Sequence, residues 1–130
     1  MEFKKFKAAT VQTSPVFLNV EKTVDKAISF IKEAASNQAK LIAFPEVFIS
    51  GYPYWNWIMT PVQGSKWYEE LYKNSVNISG PEIKKLCLAA KENDMHIVMG
   101  INERGKSYGE IYNTNLIIDN KGIIIGKHRK

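Results

Sequence analysis

From Val20 onward the apolar residues Val20, Val24, Ala27, Ile28, Ile31, Ala34 and Ala35 recur at steps of three and four, the stripe of a helix with one face turned to a core. Asn19 stands ahead of the stripe as an N-cap. Two short apolar runs flank it. The first is residues 6–12, closed by Ser14-Pro15, and the second is Leu41-Ile42-Ala43-Phe44, closed by Pro45. Strand, helix, strand in about forty residues make a βαβ unit, whose strands run parallel with a right-handed crossover. The unbroken second run is expected of a strand covered on both sides. This unit commits the chain to an α/β fold, and 130 residues suffice for one domain with its own core.

The remainder extends the pattern. Residues 49–67 are rich in aromatics, glycine and proline without a steady period, and read as a structured loop. A short helix with Trp67, Tyr68, Leu71 and Tyr72 on one side is expected next. Ser79-Gly80-Pro81-Glu82 starts another helix, with Ile83, Leu86, Cys87 and Ala90 as its apolar stripe. Residues 96–101 give a third buried strand. Residues 113–118 and 123–126 form a hairpin around Asp119-Asn120-Lys121-Gly122, whose glycine takes the positive-φ position. The sequence stops at Lys127-His128-Arg129-Lys130, with no closing helix. A sheet left there has an open edge and an uncovered face, so continuation of the chain is expected.

Charge removes one class of partner. Taking Lys4, Lys5, Lys7, Lys127, Arg129 and Lys130 from the 18 basic residues, and Glu2 from the 13 acidic ones, leaves equal numbers of each sign. The net +5 therefore sits at the two ends and not on one face, which argues against a nucleic-acid surface. No apolar run approaches the ~20 residues that span a bilayer, and the basic N-terminus leads into no secretory h-region. With a single cysteine, Cys87, no internal disulfide forms. The expected setting is cytoplasmic, away from nucleic acid and membrane.

Chemistry in open α/β sheets gathers beyond the carboxyl ends of the strands. Glu46 sits at such an end, between an apolar strand and an aromatic loop. Partial desolvation there raises a carboxyl pKa and suits a general base, although a solvated loop charge or a cap fits the same position. Lys130 stands where a lysine could offset a developing anion, or where a basic tail ends. His96 and His128 lack ligand-spaced partners, so no metal is expected. Cys87, on an apolar helix stripe, reads as a small buried hydrophobe. Tyr52, Tyr54, Trp55 and Trp57 fit either a substrate pocket or packing and oligomer contacts.

Residues 41–53, Leu-Ile-Ala-Phe-Pro-Glu-Val-Phe-Ile-Ser-Gly-Tyr-Pro, resemble the first catalytic motif of the nitrilase, or carbon-nitrogen hydrolase, superfamily. Lys127-His128-Arg129-Lys130 resembles the opening of the second, at matching spacing, and the first strand also fits. The resemblance covers essentially the whole chain, taken as residues 1–130 of an incomplete domain: the N-terminal part of an αββα sandwich that pairs across subunits. It implies Glu46 as general base and Lys130 as the lysine that stabilises the tetrahedral intermediate. The family's nucleophilic cysteine falls beyond residue 130 and is not Cys87. Nitrile hydrolysis to acid and ammonia through a thioimidate and a thioester, with no metal or organic cofactor, is the implied reaction. Residues 51–57 resemble true nitrilases more than amidases, which implies Tyr52 and Trp57 as substrate-binding residues, a nitrile or amide substrate, and a homo-oligomer at full length.

Other readings stay open. They are an amidase or carbamoylase branch of the superfamily, a non-catalytic interaction module that keeps the fold, and a flavodoxin-like binding domain. The last is disfavoured because no glycine-rich phosphate loop follows the first strand.

Overall fold

Asn19 has extended backbone and its side-chain oxygen accepts the Lys22 amide, so α1 (Val20–Ser36) starts where its apolar stripe starts. The computed structural model describes residues 4–130. Asn37 closes α1, and Gln38, in the left-handed region at φ 64°, turns the chain into β2 (Ala39–Ala43). β1 (Lys7–Thr10) pairs with β2 in parallel, completing the βαβ unit. A 3₁₀ turn (Tyr54–Trp57) leads to α2 (Pro61–Lys73), which Thr60 and Gln63 start with a reciprocal capping box. α3 (Pro81–Glu92) follows Gly80, and β3 (His96–Arg104), β4 (Ile111–Ile118) and β5 (Ile124–Arg129) complete the chain. The five strands lie in the order β1-β2-β3-β4-β5, parallel as far as β3 and antiparallel beyond it. Gly122 at φ 79° takes the hairpin turn between β4 and β5.

The core forms between two helices and one face of the sheet. Val24, Ala27 and Ile31 of α1 and Ile83, Leu86 and Ala90 of α3 join Ile42, Ile97, Met99, Ile101, Leu116 and Ile118 of the strands, all at most 1% exposed. Apolar burial on this scale is the main favourable term of the fold.

Three expectations need correction. β2 is not covered on both sides. Among the described residues, α1 and α3 cover one face of the sheet, while Leu41, Ala43 and Val98 are half-buried on the other and Ile117 is exposed. The helix after the aromatic loop buries Gly64 and Leu71 and leaves Trp67 and Tyr68 exposed, because its inner edge meets the 3₁₀ turn and not the sheet. β3 and β5 run three residues further than their apolar runs, through Asn102-Glu103-Arg104 and Lys127-His128-Arg129, because polar side chains there find partners on the loop packed against β3 and between the strands.

Ile97 sits at the centre of the buried face, paired with Ile42 and Ile118. Ile97→Ala should cost about 2–5 kcal/mol in urea unfolding, the usual loss for a large buried aliphatic residue left as a cavity.

Candidate active site

Glu46 is presented by a loop strapped flat onto β3. Phe44 extends the β2–β3 ladder by donating its amide to Val98, and Pro45, lacking an N–H, ends it. Val47 then takes φ 41°, a region that β-branched residues avoid. The strain is held by bonds to β3: the Ile49 amide donates to the Gly100 carbonyl at 3.1 Å, and the buried Asn102 side chain donates to the Gly51 carbonyl at 2.9 Å. Gly100 makes the close approach possible. A Cβ there would lie 2.2 Å from the Pro45 oxygen and 2.6 Å from the Val47 nitrogen.

Lys130 reaches the site from β5. Its amide donates to the Asn113 carbonyl at 2.9 Å, and its ammonium donates to Glu46 Oε1 at 2.6 Å across 84 residues of sequence. The Asn113 side-chain amide donates to the same Oε1 at 2.7 Å. Among the described residues no side-chain hydrogen bond falls on Glu46 Oε2. Phe44, Glu46, Val98, Asn113, Asn115, His128 and Lys130 line one open cleft of about 400 Å³ on the face of the sheet without helices.

The electrostatics reverse one expectation. Glu46 is pulled below the usual carboxylate range by the Lys130 and Asn113 hydrogen bonds, which outweigh the upward push of its slight desolvation. Lys130 is pushed up by its bond to Glu46, so both groups are charged near neutrality. With side chains 44% and 72% exposed, the pair adds little to stability. Its interest is the placement of an ionised carboxylate beside a fixed ammonium.

On the helix-covered face, Glu103 is 3% exposed and takes hydrogen bonds from Lys127 Nζ at 2.7 Å, both ends of the Arg129 fork at 2.8 and 3.0 Å, and Thr114 Oγ1 at 2.7 Å. Arg129 foremost, with Lys127 and Thr114, outweighs desolvation and holds this carboxyl down at about 2.

The other sequence-derived candidates divide. Tyr52 shares a second cleft, about 210 Å³, with Glu46, Pro15, Phe17 and Tyr54. Trp57 is 77% exposed and lines neither cleft that holds Glu46, because the 3₁₀ turn points it outward while Trp55 packs between Phe17 and Trp67. Cys87 lies on α3, away from the Glu46 clefts, with its thiol pushed up by burial. Sequence reasoning missed Asn113, Gly100 and Glu103. A glycine inside a strand is a sign of close backbone approach, and the alternation Asn113, Asn115 on a strand marks a polar face.

Comparison with known proteins agrees with the sequence motifs. The carbon-nitrogen hydrolase family model matches residues 7–130. A nitrilase of Bacillus sp. (strain OxB-1) is 44% identical over 128 residues, 98% of this chain and 37% of the relative. An aliphatic nitrilase of Rhodococcus rhodochrous is 43% identical over 126 residues, covering 96% and 34%. A cyanide hydratase of Microdochium sorghi is 37% identical over 130 residues, covering 100% and 35%. The chain thus spans about a third of the length of these curated relatives. Among solved structures, the C. elegans NitFhit protein superposes with TM-score 0.68 at 16% identity, over 95% of this chain and 26% of that one. An amidase from Nesterenkonia sp. gives TM-score 0.66 at 19% identity, over 95% and 41%.

Two outcomes are expected. Gly100→Ala should lower stability by about 1–3 kcal/mol in urea unfolding and return the Glu46 carboxyl toward its ordinary titration by NMR, because the loop must lift off β3. Glu103, lowered from 4.5 to about 2, contributes stability that is complete above pH 4.5 and lost as pH falls toward 2, roughly 3 kcal/mol in all. Unfolding free energies measured at pH 5 and pH 2 should therefore differ less in Glu103→Gln than in the parent.

Proposed function

The chain belongs to the carbon-nitrogen hydrolase family, and from that premise we propose that it supplies the N-terminal part, residues 1–130, of a nitrilase domain. The carrying observation is the 2.6 Å contact between Lys130 Nζ and Glu46 Oε1, made by the two residues on which both motifs centre. In this reading the nucleophile is a cysteine downstream of residue 130, brought over the open face of the sheet beside the pair.

Glu46 Oε1 is occupied by Lys130 and Asn113, which leaves Oε2 to take the proton of that thiol. The thiolate attacks the nitrile carbon and the nitrogen takes the proton from Glu46, giving a thioimidate and restoring the carboxylate. Water, deprotonated by Glu46, adds to it. The resulting tetrahedral centre breaks its C–N bond, loses ammonia and leaves a thioester, which a second water hydrolyses to the acid and the free thiol. Splitting the hydrolysis in this way suits a nitrile carbon, a poor electrophile toward water alone. The Lys130 ammonium offsets negative charge as each tetrahedral centre forms. A layer covering this face desolvates the pair, which raises the Glu46 pKa and strengthens it as a base.

The 44% identity to a nitrilase and the aromatic loop 51–57 favour nitriles over amides as substrates. Tyr52, beside Glu46, lines the approach; Trp57 serves substrate binding in this reading only by a movement of the 3₁₀ turn. The even balance of charge between the termini and the lone Cys87 support a cytoplasmic enzyme that works without nucleic acid, membrane or cofactor. Among the described residues, no helix is long and apolar enough to cross a membrane. Exposed Trp57, Ile58 and Val62 support self-association into a homo-oligomer.

In the full-length protein Glu46→Gln should lower kcat for nitriles by about 10²–10⁴-fold, with Cys87→Ser unchanged. Ammonia release from nitrile and amide panels checks the branch: preference for amides assigns the amidase branch, and full activity in Glu46→Gln removes the proposed mechanism.

A further inference from the structure

We infer that Glu103 is a positioning residue that locks the register of β5 and so aims Lys130 at Glu46. The inference deepens the reading above and rests on it.

The Asp119–Gly122 turn, where the Asp119 carboxylate accepts the Lys121 and Ile123 amides, sets the register only where β5 begins; between there and Lys130 apolar burial fixes it weakly. Strands are held in register by a buried stripe, and a slip of one residue sends every side chain to the opposite face. Here Ile124 is half-buried but Ile123 and Ile125 are 55% and 59% exposed, and the β4–β5 pairing already carries an irregularity between Ile117 and Ile118. Apolar burial therefore discriminates poorly between neighbouring registers. The discriminating contacts are polar. Lys127 and Arg129, two apart and hence on one face, both close on the buried Glu103 carboxylate. Arg129 is also stacked over the Tyr112 ring at 3.7 Å, and Thr114 donates to the same carboxylate.

His128 and Lys130 alternate with these residues and face the other way, into the cleft with Glu46. Shifting β5 by one residue turns Lys130 away from Glu46 and leaves a buried carboxylate without its guanidinium, a costly arrangement. Glu103 thus penalises the wrong register from the face opposite the site, without touching Glu46 or the cleft. A salt bridge whose main effect is specificity of pairing is a known use of buried charge.

The test uses the full-length enzyme with a nitrile substrate. Glu103→Gln should lower kcat per folded molecule by about 100-fold with KM within threefold, since displacing a catalytic group by an ångström or more costs that much. Folded fraction is measured by circular dichroism at the assay temperature, which separates misplacement from loss of protein. Arg129→Gln, which breaks the same clamp from its partly exposed side, should give a kcat loss in the same direction and serves if Glu103→Gln does not fold. If the folded variant keeps kcat within threefold of the parent, the register lock is overturned. Glu46→Gln in the same assay separates the two ideas: full activity there sinks the catalytic reading, whereas its loss alongside an active Glu103→Gln sinks only this inference.

Discussion

The period of two along a β-strand is the constraint from which the rest of this structure follows. β3 turns Ile97, Met99 and Ile101 to the helices, and the same alternation turns Val98 to the open face and leaves Gly100 beneath the Glu46 loop. β4 repeats the division, with Thr114, Leu116 and Ile118 buried while Asn113 and Asn115 line the cleft. One face is thereby committed to stability and the other is free for polar groups. The division explains how a carboxylate and an ammonium far apart in sequence can meet without disturbing the core.

Geometry at the site depends on what is missing as much as on what is present. The loop bearing Glu46 descends onto β3 because Gly100 has no side chain, and the Asn102 side chain then donates to the Gly51 carbonyl and to the Ile49 carbonyl, which the Asn102 backbone amide also holds. The positive φ of Val47 is tolerated because these bonds over-determine the turn. Arg104, at the end of the same strand, donates to the Tyr72, Lys73 and Ser75 carbonyls and so caps the C-terminal end of α2. β3 is therefore both the centre of the core and the frame of the loop.

Legibility from sequence followed how far each residue's role was set by its near neighbours. The helix stripe, its Asn19 cap, the strand closed by Pro45 and the Gly122 turn are local effects, and all were readable. Glu46 and Lys130 were readable as a motif pair, but Asn113 was not, since nothing in Tyr-Asn-Thr marks which asparagine will face a carboxylate on a distant loop. The extra length of β3 and β5 was hidden for a related reason. Residues such as Glu103 and Arg129 look like loop or tail until the cross-strand pairing that buries them is known. The outward placement of Trp57 was likewise invisible, because composition tells that an aromatic loop exists but not which of its rings turns inward.

The two carboxylates of this sheet show how context divides one functional group into two tasks. Glu103 is nearly enclosed, receives four donors and is held down at about 2, so it stays ionised at neutral and mildly acidic pH and behaves as a fixed anchor. Glu46 is exposed, receives two donors on one oxygen and, among the described residues, no side-chain donor on the other. A proton acceptor must be able to give up its ionised state, which a carboxylate saturated with donors cannot do readily. In the proposed reading, the anchor and the acceptor differ in donor count and burial, not in chemistry. They lie on opposite faces of the same sheet, and the alternation that ends β5 serves both: Arg129, its last residue, turns to one carboxylate and Lys130, which follows it, to the other.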